Sequence, residues 1–176
     1  MSEVESGADV DSFTAWLQAL EQTGAATFIK ESTWAFPMIE AIHVIAIALV
    51  VGTIAMVDLR LLGLASMRRP YSELSGDVLP WTWGAFALAA LTGALMFVSQ
   101  PVAYFGNTAF RIKLLVLLLA GINMSVFQLI THRGVAKWDR ATTVPLSGML
   151  AGALSLTFWV TVVFFGRRIG FTMSPV

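Results

Sequence analysis

Over most of this chain apolar residues do not alternate with polar ones at a helical or strand period. They run on, in four stretches each long enough to cross a bilayer. A hydrocarbon core of ~30 Å needs ~20 apolar residues in a helix, and the spans read as residues 34–57, 82–99, 110–131 and 145–165. Ser32 or Thr33 caps the first, and Pro37 stands in its first turn, where a missing N–H costs least. Pro80 opens the second with Trp81, Thr82 and Trp83 at the interface, and Gln100-Pro101 stops it. Short connections make consecutive spans antiparallel neighbours. The expected fold is all-α, an integral membrane four-helix up-down bundle over residues 34–170. Ahead of it, in residues 1–33, Phe13, Trp16, Leu17 and Leu20 fall at i, i+3, i+4 and i+7. They form one stripe of an N-terminal amphipathic helix, capped by Asp11 or Ser12 and ended by Gly24. It lies in the membrane interface or on the protein's own helices. Residues 171–176 form a C-terminal tail.

Composition agrees: 57% of residues are hydrophobic and 12% charged, with a mean hydropathy of +0.76, far from the balance of a soluble domain. The formal net charge is zero and no basic run occurs, which argues against nucleic acid as partner. Without cysteine there is no disulfide, thiolate metal site, iron–sulfur cluster or covalent c-type haem. Glu3, Glu5, Asp9 and Asp11 stand where a secretory signal has positive charge, so the N-terminus is expected to be retained. Arg60, Arg68, Arg69, Arg133, Lys137 and Arg140 flank one side, and Lys30, Arg111, Lys113, Arg167 and Arg168 the other. The balance favours both termini outside. Ala85, Ala89 and Gly93, and Gly148 and Gly152, follow the small-xxx-small spacing of close helix packing.

Glu40 and His43 change the picture, because ionisable groups inside a span are costly and mark function by default. At ~1.5 Å per residue, Glu40 lies ~6 Å and His43 ~10 Å into the membrane. Lys113, on the third span, comes near the depth of Glu40, and Met96 near the same level. His132, the other histidine, is more than ~20 Å from His43 along the normal, so the two cannot grip one haem within one chain. A haem could take His43 with Met96, Met38 or a residue of a second chain. A metal could take Glu40 and His43, which share a helix face at i, i+3, and a nearby methionine would favour copper. The plain alternatives are a Glu40 ion pair with Lys113 or Arg111, a His43 hydrogen bond to a carbonyl or Ser99, and methionines that fill the core. Asn123 sits at mid-span and glues helices together or belongs to a polar pathway. Asp58 and Arg60 read as a solvated, salt-bridged rim at the far end of the first span.

Glu40-x-x-His43, then Gly52 through Asp58-Leu59-Arg60-Leu61-Leu62-Gly63, resembles a family of small uncharacterised bacterial inner-membrane proteins. Phe110-Arg111-Ile112-Lys113, Trp159 and Gly166-Arg167 extend the likeness over roughly residues 34–170. More distantly the layout is similar to copper-resistance D type proteins and cytochrome b-like bundles, where helix histidines bind copper or haem. This chain departs from their paired-histidine pattern. The resemblance implies a multi-pass protein of the bacterial inner (cytoplasmic) membrane and leaves activity unassigned.

The function expected from these residues is a buried polar site on the first span, for haem b or copper, serving electron transfer or metal handling. Two alternatives stand beside it: a non-catalytic accessory subunit of a larger membrane complex, and a small-solute carrier or channel. Homo-oligomer or membrane-complex contacts are expected in the bilayer plane. No Ser, His and Asp share a depth, and no phosphate loop or His-Glu-x-x-His occurs. The chain is therefore not read as an enzyme on its own.

Overall fold

The computed structural model of the chain describes residues 2–139 and 143–173, with side chains from Ser12 onward apart from Lys137. Two helices precede the bundle, α1 (Ser2–Glu21) and α2 (Gly24–Glu31). Gly24 opens the second helix rather than ending the first, because the Thr23 hydroxyl caps it by accepting from the Ala26 amide at 3.4 Å. Then come α3 (Ala35–Leu61), α4 (Tyr71–Ser99), the short α5 (Pro101–Gly106), α6 (Thr108–Val126) and α7 (Leu146–Thr172). α6 continues through a π-helical turn, Phe127–Thr131, and a 3-10 turn, His132–Lys137. Among the described residues there is no strand. Four helical stretches of 27–29 residues are long and apolar enough to cross a membrane, so the chain is a multi-pass membrane protein. Leu115, Leu118, Ile130 and Val160 point outward, an exposure that costs nothing where the solvent is lipid.

Helix ends depart from the sequence reading where the capping partner is remote. α4 starts at Tyr71 and carries Pro80 inside it. Its N-terminus is held by Asp139, whose carboxylate accepts from both the Ser72 amide and the Ser72 hydroxyl at 2.7 Å. That cap outweighs the one hydrogen bond Pro80 cannot donate. α3 ends in a Schellman turn: Gly63, at φ +74°, donates to the Arg60 carbonyl at 3.1 Å and Leu64 to the Leu59 carbonyl at 2.9 Å. α7 extends through Thr172, into the stretch read as a tail. Arg140 and residues 174–176 lie outside the described residues.

α3 is the hub of the bundle. It packs along α4 and α7, and α7 packs along α6. Small residues set these contacts: Ala85 and Ala89 are buried, and a Cβ on Gly152 would stand 3.1 Å from both the Asp58 carbonyl oxygen and Leu61 Cβ. Spans two and three, expected as neighbours, hardly touch along their backbones. α4 meets the third span through rings at two levels, Phe97 stacked on Phe110 at 5.6 Å and Tyr71 against Phe127 at 5.8 Å. α1 docks on α5 through Phe13 and Phe105, centroids 4.9 Å apart, with Leu17 buried and Trp16 exposed.

Candidate functional site

Two polar clusters occupy opposite ends of the bundle. The first contains His43, half-buried on α3, whose Nδ1 is 2.9 Å from the Thr92 hydroxyl of α4. Thr92 has one hydroxyl hydrogen, and its shortest contact is the Leu88 carbonyl at 2.7 Å. Thr92 Oγ1 therefore accepts from Nδ1–H, which assigns the tautomer with the lone pair on Nε2. The imidazole lies on Gly93, where a Cβ would come 3.0 Å from ring carbon Cε1. Gly93→Ala is expected to push the ring off Thr92 and lower stability by about 1–3 kcal/mol. Thermal unfolding in detergent checks this, and an unchanged midpoint would contradict the packing.

Glu40 is exposed and forms no ion pair with Lys113 or Arg111; the ion pairs among the described residues are Lys30–Glu21, Arg69–Glu73 and Arg69–Asp77. The Glu40 charge is felt by Tyr104 on α5, whose phenol is pushed up to about 12 by burial first and Glu40 second. The Lys113 ammonium lies against Gly166 and acts electrostatically on His43. Arg111 turns to the Thr108 hydroxyl at 3.3 Å. Met96 packs against the buried cluster of Tyr104, Ala109 and Ile169, and Met38 is 54% exposed. Ser99 donates to the Met96 carbonyl at 2.7 Å, so Thr92 takes the place expected of it beside His43. Among the described residues no three His, Asp or Glu side chains converge. His132 contacts the rings of Tyr71 and Phe127. Tyr71 and Thr92 lie ~30 Å apart along α4, so the two histidines stand at opposite ends.

The second cluster is the one the sequence reading missed. Between the two ring contacts of α4 and the third span lies a cavity of about 390 Å³, bounded by α3, α4, α6 and α7. This is within the ~300–1,000 Å³ of ordinary ligand sites. Its walls are mainly apolar and aromatic, with Asp58, Thr82, Asn123, Gln128 and Ser155 as polar points. Asn123 donates from Nδ2 to the Ala151 carbonyl at 3.0 Å, tying α6 to α7. The π-helical turn supplies Phe127 and Gln128 to the lining, a local widening that recurs at functional sites.

Asp58 is 5% exposed, not solvated, and this corrects the rim reading. Ser155 of α7 is its hydroxyl neighbour, yet Oδ2 is buried without a hydrogen-bond partner. Arg60, the nearest cation in sequence, is fully buried at 0% exposure and committed elsewhere. Its Nε donates to the Arg69 carbonyl at 3.1 Å, Nη2 to the Asp139 carbonyl at 3.2 Å, and Nη1 meets Met67 Sδ at 3.6 Å. The salt-bridged rim is formed further out, by Arg69 with Glu73 and Asp77. A sequence signal for Asp58 existed: it follows Val50 and Ile54 at helical spacing, on the stripe that faces the cavity.

A family model described as a family of unknown function (DUF6644) matches residues 31–172. No curated protein matches the chain, and no solved structure does.

Proposed function

We propose that this chain, which belongs to the DUF6644 family, is a membrane-embedded binding protein for a small, mainly apolar ligand. The ligand is held in the interhelical cavity and gripped by Asp58. The observation that carries this reading is the orphaned Oδ2 of Asp58 in a ligand-sized, largely apolar cavity. Buried carboxylate oxygens without partners are rare because each forfeits its hydration, and a ligand that supplies a donor removes that cost. The site is closest to the small-solute carrier alternative. The small-residue faces, by contrast, are spent within the chain against α3, so docking to other subunits would use other surfaces. Trp83 and Trp159 line the cavity, and titration of the detergent-solubilised protein with small aromatic compounds is expected to quench tryptophan fluorescence saturably, one molecule per chain. Linear, unsaturable quenching, as from partitioning into the micelle, would sink the reading.

A second reading is favoured by one observation, the Thr92 bond that leaves Nε2 of His43 with its lone pair. A histidine fixed through one ring nitrogen is prepared to ligate through the other. It is the reading of haem b or copper at His43, for electron transfer or metal handling, such groups supplying one-electron chemistry when bound. The donors of one chain do not complete either site: Glu40 and Met38 are exposed and Met96 is packed against the cluster of Tyr104, Ala109 and Ile169. A second copy would have to complete it. A Soret band or stoichiometric copper that is lost in His43→Ala supports this reading, and its persistence in that variant contradicts it.

A further inference from the structure

The walls around Asp58 identify the charge of the ligand as well as its polarity. Among the described residues that line the cavity there is no Lys, Arg or His. The cation two residues away, Arg60, has its guanidinium engaged by Arg69, Asp139 and Met67. Kept ionised in a low-dielectric interior, the Asp58 carboxylate would need a compensating positive charge, and no described residue lining the cavity supplies one. Lining the same space are Tyr71, Trp83, Phe86, Phe127 and Trp159. Aromatic faces attract cations, most strongly when water is excluded, and aromatic cages are the recurrent solution for ammonium groups.

We infer that the cavity takes a lipophilic organic monocation, an amine or quaternary ammonium, with Asp58 as counter-ion and the rings nearest it, Tyr71 and Phe127, against the cation. The inference rests on the reading of the cavity as a binding site and adds the ligand's charge to it. A neutral hydroxyl donor, or a proton on the carboxyl itself, would also relieve Oδ2, but neither would make special use of the rings.

The test compares benzyltrimethylammonium with its neutral carbon isostere, neopentylbenzene, by tryptophan quenching of the full chain in nanodiscs. The cation is expected to bind at least tenfold more tightly. Asp58→Asn is expected to weaken the cation at least tenfold and leave the isostere unchanged, while Asp58→Glu keeps the preference. Equal affinity of the two compounds for the wild type overturns the cation inference and leaves the binding cavity standing. Saturable binding of neither overturns both. Should Asp58→Asn fail to fold, the isostere comparison on the wild type decides alone.

Discussion

Replacing Arg60 with methionine is expected to destabilise the bundle by about 3 kcal/mol or more. Two of its contacts are charge-assisted hydrogen bonds to backbone carbonyls, those of Arg69 and Asp139, each worth ~1.5–3 kcal/mol. The side chain is fully buried, so its removal also leaves a void that its neighbours must fill. The Asp139 carbonyl also accepts from the Tyr71 amide at 3.2 Å. Loss of Arg60 therefore loosens the start of α4, the end of α3 and the segment after the third span together. Lysine would not rescue it, because a single ammonium cannot reproduce a fork that reaches two carbonyls. Denaturant titration in mixed micelles measures the change. A loss below about 1 kcal/mol would show that these carbonyls find other donors.

The second large effect concerns binding. Gly121 of α6 lines the cavity, and a Cβ built there meets nothing within 4 Å. The first carbon of a side chain there displaces no neighbour, and Gly121→Leu extends that side chain from a position on the cavity lining. Its helix propensity also exceeds that of glycine by up to about 1 kcal/mol. The variant is expected to be at least as stable as the wild type and to bind cavity ligands at least a hundredfold more weakly. Stability and affinity thus move in opposite directions, which a general loss of structure cannot mimic. Intact binding in a stable Gly121→Leu would place the ligand elsewhere.

Much of the architecture was legible because lipid leaves few choices. Long apolar runs with no interior charges other than Glu40, His43 and Lys113 can satisfy their backbone only as helices, and the small residues at Ala85, Ala89, Gly93, Gly148 and Gly152 marked where those helices touch. What stayed hidden depended on partners remote in sequence. Pro80 read as a helix start because the cap that carries α4 back to Tyr71 comes from Asp139. Asp58 and Arg60 read as a watery exit because an acid and a base at the end of an apolar run usually mean that. Here the carbonyls of Arg69 and Asp139 satisfy Arg60, and Gly152 brings α7 close enough to enclose Asp58. Glu40 and His43 were visible as unusual residues, but their neighbours were not. Thr92 carried no sequence cue that it would orient the imidazole.

Photoaffinity labelling maps the binding site most directly. The wild type in nanodiscs is irradiated with a small diazirine-bearing benzylammonium compound and the labelled peptides are sequenced. The label is expected on the cavity-lining residues Trp83, Met124 and Trp159, suppressed by excess benzyltrimethylammonium and by Gly121→Leu. Label spread over the outward-facing Leu118, Ile122 and Val160, and insensitive to both, would contradict the account.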